Sequence, residues 1–271
     1  MNIMRFTKMD GAGNDFVVTA DVPGNTVPRT PEMIRAVCDR RRGIGADGVL
    51  VLKPLAPGEV KMTYCNSDGS RAEMCGNGLR CCMEFAALNG FADSHAVFHT
   101  DAGRLEAWRP EPELIRIQMP LATPFRELTV CGYPVYLTST GVPHAVIPLT
   151  AEGFRDLDID CAGRAIRFAA ELAPEGANVD FILPDGADAA RVRTYERGVE
   201  AETLACGTGA AAVGAFLLWK YGGNEKKRIF CAGGDVLTIE LTANGNILKE
   251  MFLSGPARAV FTGTWSWKKQ T

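Results

Sequence analysis

The sequence lacks the features that would place the chain in a membrane, outside the cell or on nucleic acid. No uninterrupted apolar stretch approaches the roughly 20 residues that span a bilayer. The N-terminal segment has no apolar core followed by a small-residue cleavage site, so we expect no signal peptide and a cytoplasmic location. The net charge of −3 argues against a general nucleic-acid binder, which carries a basic excess.

Metal and cofactor motifs are also missing. No two cysteines form a Cys-x-x-Cys pair, and the histidines, His95, His99 and His144, do not cluster with cysteines, so no metal site is expected. The glycine-rich segments 11–14 and 43–48 do not follow a strand and open a helix as a dinucleotide-binding motif does, and no phosphate loop occurs. We therefore expect no cofactor.

The chain does contain nine cysteines within an otherwise ordinary globular composition. Of its 271 residues 46% are hydrophobic and 23% are charged, which suits one large domain or two of ordinary size. An odd number of cysteines does not favour a disulfide framework. Most of them are expected to be small buried residues in a reducing cell.

One cysteine motif occurs twice. Cys75-Gly76-Asn77-Gly78 precedes an apolar run suited to a helix, and Cys206-Gly207-Thr208-Gly209 does the same after a further half of the chain. The turn glycines Gly45 and Gly176 repeat at the same offset. The sequence therefore predicts two homologous α/β lobes related by a pseudo-two-fold axis, with a boundary near residues 121–126, where prolines cluster.

Each motif is expected to open a long helix, at 76–89 and 206–221, in the middle of its own sheet. These segments are mostly apolar or small, and helices that are apolar on most sides are buried. Each cysteine is expected at the lobe surface. A strand at 257–265 has no counterpart in the repeat. The other predicted elements are helices at 31–38 and 162–172 and strands at 4–9, 16–19, 49–52, 60–65, 96–100, 104–108, 114–119, 135–138, 145–147, 179–183, 191–195, 228–231, 236–241 and 247–252.

A thiol at a helix N-terminus is suited to proton transfer. Unpaired backbone N–H groups and the helix dipole lower the pKa of such a thiol and can also hold a carboxylate. If the pseudo-two-fold axis brings both helix starts to one cleft, one thiolate removes the α-proton of a bound amino acid. The opposite thiol then returns a proton and inverts the stereocentre, while both helix ends stabilise the enediolate.

Other cysteine, histidine and charged residues have either a structural or a functional interpretation. A single cysteine before Gly-x-Gly is most often a buried cap, but two in symmetric positions favour a function. His144 lies in a predicted turn equivalent to the Asn14 turn, so it is expected to face the cleft. Glu196 and Arg197 occupy a loop that leads into Cys206, although an exposed Glu-Arg pair is usually solvated surface. His95 and His99 fall in a predicted strand and are expected to be structural.

Three stretches resemble the motifs of the diaminopimelate epimerase family, and the resemblance covers nearly the whole chain. They are Lys8-Met9-Asp10-Gly11-Ala12-Gly13-Asn14-Asp15-Phe16, the run from Asn66-Ser67-Asp68-Gly69-Ser70 through Cys75-Gly76-Asn77-Gly78, and the run from Tyr195-Glu196-Arg197-Gly198 through Cys206-Gly207-Thr208-Gly209.

The resemblance implies a pyridoxal-phosphate-independent isomerase that interconverts LL- and meso-diaminopimelate in lysine and peptidoglycan biosynthesis. It implies two lobes, each a curved, mostly antiparallel sheet around a central helix, with residues 1–121 and about 258–271 in the N-terminal lobe and 122–257 in the C-terminal lobe. It also implies a homodimer.

The resemblance assigns roles to individual residues. Cys75 and Cys206 would be the acid/base pair, and His144 and Glu196 would tune their thiols. Arg197 also suits the second carboxylate of such a substrate on chemical grounds. The implied substrate-binding residues are Asn14, Asn66, Gly76, Asn77, Asn178, Glu196, Arg197, Gly207 and Thr208.

Two departures from the family pattern touch substrate recognition. Val142 stands where the family often has asparagine, and the loop 198–202 is one residue longer than its commonest version. Alternative readings are another two-cysteine racemase, for proline, hydroxyproline or another side chain, a redox sensor that forms a Cys75–Cys206 disulfide, and a non-catalytic amino-acid-binding module.

Overall fold

Two apolar helices, each begun by a cysteine, lie at the centres of two packing units in the computed structural model. The structure describes residues 2–72, 75–244 and 247–267. Met74 of the first cysteine motif and the last four residues of the expected tail, 268–271, lie outside the described residues. One unit comprises Met1–Ile117 and Pro256–Thr271, and the other comprises Gln118–Gly255. The sequence had placed the division at 121/122 and about 257/258.

The first unit is a sheet with two helices. α2 packs against strands β1, β2, β3, β7 and β18 of this unit. The elements are β1 (Asn2–Asp10), β2 (Asp15–Ala20), α1 (Pro31–Cys38), β3 (Gly48–Ala56), β4 (Glu59–Asn66), β5 (Arg71–Ala72), α2 (Gly76–Leu88), β6 (His95–Thr100), β7 (Gly103–Glu111), β8 (Leu114–Gln118) and, from the end of the chain, β18 (Arg258–Trp267).

The second unit has the same plan. α5 packs against β10, β11, β12, β13, β15 and β16. The elements are β9 (Arg126–Val130), β10 (Tyr133–Ser139), β11 (Pro143–Pro148), α3 (Ala151–Arg155), α4 (Ile159–Arg167), a 3-10 turn (Ala170–Leu172), β12 (Asn178–Asp185), β13 (Ala189–Glu196), β14 (Ala201–Thr203), α5 (Gly207–Tyr221), β15 (Lys226–Phe230), β16 (Val236–Asn244) and β17 (Ile247–Pro256).

Strand pairing shows how closely the units repeat each other. The order in the first is β18-β1-β2-β3-β4-β6-β7, and in the second it is β9-β10-β11-β12-β13-β15-β16. Two strand pairs in each order are parallel. They are β2–β3 and β4–β6 in the first unit, and β11–β12 and β13–β15 at the same places of the second. The remaining pairs in both orders are antiparallel, and the predicted duplication of a mostly antiparallel sheet is confirmed.

The expectation that the final strand has no counterpart was wrong. β18 pairs with β1 over Asn2–Asp10, and β9 pairs with β10 in the same place of the second unit. β9 was missed because Arg126–Val130 is a short and largely exposed edge strand with little apolar signal. One unit therefore takes this strand from the end of the chain and the other from its own beginning.

Helix boundaries follow local capping. Thr30 caps α1 with Pro31 in the first turn, as the sequence predicts. The helix expected at 162–172 begins earlier, because the Asp158 side chain accepts the N–H of Cys161 at 3.0 Å. It ends at Arg167 and is followed by the 3-10 turn.

The charged residues inside α2 have hydrogen-bond partners within their own unit. Arg109 makes two hydrogen bonds to Glu84, of 2.6 and 2.9 Å, and the Arg80 guanidinium donates to the carbonyls of Gly11 and Pro256. Buried charges remain stable only when they are paired in this way. Within the described residues no helix combines the length and apolar character needed to cross a membrane.

Candidate active site

Both motif cysteines are the N-cap residues of central helices. Cys75 and Cys206 have extended backbone conformations, and each sulfur accepts the N–H of the residue three positions on, Gly78 or Gly209, at 3.4 Å. A sulfur in this position meets the unpaired N–H groups and the positive end of the helix dipole. The sequence prediction that each Cys-Gly-x-Gly opens a helix is confirmed.

Cys75 is partly exposed and lies beside two amides. The Asn14 Oδ1 atom is 3.7 Å from Cys75 Sγ and 3.4 Å from Asn77 Nδ2. The other end of the Asn14 amide donates to Asp47 Oδ2 at 2.7 Å, which fixes the amide with its oxygen towards the thiol. Three predicted site residues are therefore together in the first unit.

An ionic network of Lys8, Asp15, Arg40 and Asp47 supports the position of Asn14. Asp15 is bound by Lys8 at 2.6 Å and by Arg40 through two hydrogen bonds, and Arg40 also reaches Asp47 at 2.8 Å. Lys8 further donates to the carbonyl of Gly45. Although burial acts to raise the pKa of Asp15, the hydrogen bonds and charges of Arg40 and Lys8 lower it well below its ordinary range.

Cys206 lies at the end of a buried polar chain. Its sulfur is 3.4 Å from Thr208 Oγ1, and that hydroxyl is 2.9 Å from Nε2 of His144. The Nδ1 atom of His144 is 2.7 Å from Asp180 Oδ2, and both side chains are fully buried. His144 is the second residue of strand β11, so the prediction that it lies in a turn was wrong. Its imidazole contacts Thr208, which in turn contacts Cys206.

The prediction that the helix terminus lowers the pKa of both thiols, and that both lie at the surface, was wrong for Cys206. Burial raises the pKa of Cys206 well above its ordinary value, and the charges of Glu196 and Asp180 raise it further. The hydrogen bonds with Thr208 and Gly209 lower the pKa but do not offset burial. The surroundings of Cys206 therefore favour the protonated thiol.

The residues expected to bind substrate in the second unit connect to the same chain. Asn178 opens strand β12, and its Nδ2 atom lies 3.4 Å from Nε2 of His144. The backbone N–H of Arg197 donates to Asn178 Oδ1 at 2.8 Å. Glu196 ends strand β13 and accepts a hydrogen bond from Thr203 Oγ1 at 2.8 Å.

The Arg197 side chain is partly exposed and lies 3.9 Å from Glu175, which leaves it a loosely held cation. Gly207 and Thr208 form the first turn of α5, as Gly76 and Asn77 do in α2. Asn66 ends strand β4, and its amide donates to Ser70 Oγ at 3.0 Å.

The two sequence departures have defined local structures. The carbonyl of Val142 accepts the N–H of Thr140 in the turn before β11. In the long loop Glu200 adopts a positive φ of 58°, accepts the N–H of Gly198 and lies 3.4 Å from Arg167. Glu202 pairs with Arg193 through two hydrogen bonds of 2.8 Å. The loop is thus anchored through its acidic residues.

Asp180 and Asp47 were not identified from the sequence. Asp180 lies two positions after Asn178 in β12, and residues two apart in a strand share a face. That alternation was the available signal for Asp180, within a strand that otherwise reads as apolar. Asp47 precedes a strand and resembles an ordinary turn residue.

Most other cysteines are packing residues. Cys38, Cys81, Cys82 and Cys231 are buried, as expected. Burial raises the pKa of Cys38 to about 12, and it also raises the pKa of Cys81 and of Cys82 well above the ordinary value. Cys131 and Cys161 are exposed, and all nine cysteines are free thiols in the structure.

A family model and individual relatives assign the chain to the same family. A family model described as diaminopimelate epimerase matches residues 6–119 and 136–260. The chain is 41% identical to a diaminopimelate epimerase of Aquifex aeolicus, covering 97% of this chain and 98% of that protein, and 39% identical to one of Archaeoglobus fulgidus, covering 95% of each.

A solved structure shares the fold at low sequence identity. The chain superposes on a phenazine biosynthesis protein of the PhzF family from Bacillus anthracis with a TM-score of 0.73 at 14% identity, covering 98% of this chain and 100% of the other. At that identity the likeness shows the fold alone. The predicted class of two α/β lobes is confirmed.

Proposed function

Because the chain belongs to the diaminopimelate epimerase family, we propose that Cys75 and Cys206 are the two acid/base groups of its reaction. The reaction interconverts LL- and meso-diaminopimelate, and we infer that it serves lysine and peptidoglycan synthesis. The observation that supports the assignment most directly is the pair of cysteine N-caps at matching places of the duplicated fold, each receiving a helix N–H at 3.4 Å.

Epimerisation needs two acid/base groups because the proton must return to the face of the α-carbon opposite the one it left. One thiolate takes the α-proton, and the electron pair passes into the carboxylate as an enediolate. The other thiol then gives its proton to the α-carbon. Each sulfur exchanges its role when the reaction runs in reverse.

The resting roles follow from the surroundings of the thiols. Burial and the nearby carboxylates raise the pKa of Cys206, so we propose that it starts as the proton donor and that Cys75 starts as the thiolate. Asn77 and Thr208 follow the thiols in the helix first turns, where backbone N–H groups stabilise the developing carboxylate charge.

The other candidate residues are proposed to recognise the distal end of the substrate. Arg197 carries planar N–H donors that match a second carboxylate. The amides of Asn14, Asn66 and Asn178 and the carboxylate of Glu196 suit the two amino groups and the remaining polar contacts. We propose that His144 and Glu196 also tune the thiol environment.

The test is α-hydrogen exchange in deuterium oxide. Incubation with LL-diaminopimelate, without added pyridoxal phosphate, should place solvent deuterium in the meso product. Cys75→Ser and Cys206→Ser should each reduce epimerisation by at least about a hundredfold. Cys81→Ser, which changes a buried thiol of α2 that begins no helix, is the control and should stay active. Full activity in either motif variant would remove the two-thiol mechanism.

Competing substrates are separated by a panel in the same assay. Exchange at the α-carbon of proline or hydroxyproline, with none on diaminopimelate, would keep the mechanism and reject the substrate. A Cys75–Cys206 disulfide that forms when the wild type is mildly oxidised, identified by mass spectrometry, and whose reduction restores activity would favour the redox-sensor interpretation as a regulatory addition.

We also propose that the enzyme is a homodimer in the cytoplasm. Strands β1 and β18 expose Ile3, Val260 and Phe261 to solvent at 45 to 57%, and exposed apolar groups of this kind occur at protein interfaces. The nine free thiols suit a reducing compartment. Light scattering after size exclusion should give twice the 29.2 kDa chain mass, and Phe261→Lys should give the monomer.

A further inference from the structure

The hydrogen-bond network around His144 determines which ring nitrogen carries the proton. The backbone N–H of Arg197 donates to Asn178 Oδ1, so the Asn178 NH₂ group points away from Arg197. One of its hydrogens faces the Pro143 carbonyl at 3.3 Å and the other faces Nε2 of His144 at 3.4 Å. A donor aimed at Nε2 requires that this nitrogen accept. The proton therefore lies on Nδ1, which donates to Asp180 at 2.7 Å.

The same reasoning sets the direction of the next two bonds. The single lone pair of Nε2 makes its hydrogen bond with the nearer partner, so the Thr208 hydroxyl donates a hydrogen bond to Nε2 at 2.9 Å, and the longer Asn178 contact only excludes a hydrogen on Nε2. The lone pairs of Thr208 Oγ1 then remain to accept the S–H of Cys206 at 3.4 Å. These hydrogen bonds form a relay that runs from the carboxylate of Asp180 through His144 and Thr208 to a protonated Cys206.

The first unit shows that the fold itself does not need this chain. The strand registers place Phe16 at the position of His144, and Leu50 at the position of Asp180. Phe16 and Leu50 are both fully buried, and Leu50 packs against Gly78 where Asp180 packs against Gly209. The same helix start is thus supported by apolar side chains in one unit and by a buried carboxylate and imidazole in the other.

Burying a carboxylate and an imidazole costs desolvation free energy that an apolar pair does not cost. A polar pair at this place therefore suggests a function that apolar groups cannot perform. Thr194 Oγ1 donates to the second oxygen of Asp180 at 2.8 Å, so both carboxylate oxygens are engaged and the group is fixed. One unit therefore has an apolar pair beside the start of its central helix, and the other has a satisfied polar pair at the same place.

We propose that Asp180 is a positioning residue that acts through His144 and Thr208 to hold Cys206 as the proton-donating thiol, which makes the two thiols of the reaction unequal. The inference rests on the proposed role of Cys206.

In the step itself the Cys206 S–H bond breaks, its proton forms the new C–H bond, and the electron pair of the enediolate becomes that bond. The Cys206 thiolate that remains keeps its hydrogen bond from the Gly209 N–H. The Thr208 hydroxyl rotates away from His144 and donates to the sulfur. The enzyme returns to its starting state when solvent moves one proton from Cys75 to Cys206.

The first test replaces Asp180 by its nearly isosteric amide. In Asp180→Asn we expect kcat to fall about tenfold to a hundredfold, since the imidazole loses the charge that holds its tautomer. The titratable groups facing Cys206 are His144 on β11, Asp180 on β12 and Glu196 on β13. Removing the Asp180 charge should move the alkaline limb of the kcat/KM profile to lower pH and leave the acid limb in place. Unchanged kcat and an unchanged profile would overturn the proposal.

The second test asks whether Asp180 and Thr208 act as one unit. Thr208→Val removes the hydroxyl and keeps the helix N–H, whereas Thr208→Ser keeps both, so only the valine variant should lose activity. The double variant Asp180→Asn/Thr208→Val should be scarcely slower than the slower single variant, because both changes break one chain. Multiplied losses would show independent roles and would contradict the relay.

The control makes the same chemical change at the other end of α5. Asp188 accepts a 2.8 Å hydrogen bond from the buried Lys227, whose ammonium also caps the last carbonyl of the helix region at Gly222. Asp188→Asn should lower the melting temperature without moving either limb of the pH profile. If Asp180→Asn fails to fold, the Thr208 valine and serine variants together with the position of the His144 proton in the wild type still test the relay. Full activity in Cys206→Ser would instead refute the proposed function, whereas an inactive Cys206→Ser beside a normal Asp180→Asn would refute the relay alone.

The histidine tautomer can be read directly. Nitrogen-15 spectra of the side chains should show the His144 proton on Nδ1 in the wild type, with His144→Gln providing the assignment among the three histidines. Asp180→Asn should shift the population towards the Nε2–H form. A wild-type His144 protonated only on Nε2 would overturn the proposed direction of the chain.

Discussion

Cys75 and Cys206 share a backbone role and differ in their neighbours. Both sulfurs accept a helix N–H, but Cys75 lies beside the Asn14 and Asn77 amides, and Cys206 lies beside a hydroxyl that is tied to a buried imidazole. A buried thiol near two carboxylates favours its neutral form, because the thiolate loses hydration and meets like charge. The chemistry of each thiol is thus set by the residues around it rather than by the helix end that both possess.

Arg197 offers the sharpest prediction for substrate recognition at this scale. Arg197→Lys keeps the charge and loses the planar pair of N–H donors, so we expect KM for diaminopimelate to rise about tenfold to a hundredfold while kcat changes less. Arg191→Lys is the matched control, because Arg191 lies on the same strand, β13, and has an exposed side chain. Equal KM values for Arg197→Lys and the wild type would remove the proposed carboxylate contact.

The two central helices share a starting sequence but approach different neighbours. A methyl group placed on Gly78 would lie 3.3 Å from the flexible end of Leu50, whereas one placed on Gly209 would lie 2.5 Å from Asp180 Oδ1. The glycine in the first turn is therefore a packing requirement in α5 and nearly optional in α2.

This difference predicts opposite outcomes for matched substitutions. Gly209→Ala should destabilise the protein by about 1–3 kcal/mol, because overpacking displaces a fixed carboxylate, and it should also lower kcat. Gly78→Ala should be close to neutral, since the gain in helix propensity of up to about 1 kcal/mol offsets a small shift of Leu50. Urea unfolding of both variants measures the difference. Equal losses would contradict the role of Asp180 at the start of α5.

At the scale of the whole molecule, the ionic network of Lys8, Asp15, Arg40 and Asp47 joins parts of the first unit that are distant in sequence. It ties β1 to the first residue of β2 and to the segment between α1 and β3. Because the folded pKa of Asp15 lies below its ordinary value of 3.8, the pairing stabilises the folded state fully above that value and is lost as the pH falls below it.

Acid titration should expose this contribution. The wild type should lose unfolding free energy as the pH falls below about 4, and Asp15→Asn should be less stable at pH 7 and show a weaker pH dependence below 4. Asp21→Asn breaks an exposed ion pair with Arg29 and should change little. Chemical denaturation from pH 3 to 7 gives the comparison, and parallel curves for Asp15→Asn and the wild type would contradict the assignment.

The sequence by itself determined the duplication, most strands and the two helices that begin at Cys75 and Cys206. These follow from local chemistry: apolar periodicity, turn glycines and capping residues act within a few positions of one another. The motif residues at the helix starts were identifiable for the same reason. What local chemistry could not reveal was β9, whose short polar segment becomes a strand only because β10 supplies an edge for it.

Only the tertiary structure decided how the two thiols differ. The sequence predicted a lowered pKa for both thiols, because the helix terminus is a local feature that both possess. The high pKa of Cys206 depends on burial and on Glu196 and Asp180, which come from two other strands. Likewise the role of His144 depends on parallel pairing of β11 with β12, which sets it beside Asn178 and near Asp180. Desolvation and charge act through space, so residues far apart along the chain determine the proton affinity of a group whose position was evident from its neighbours in sequence.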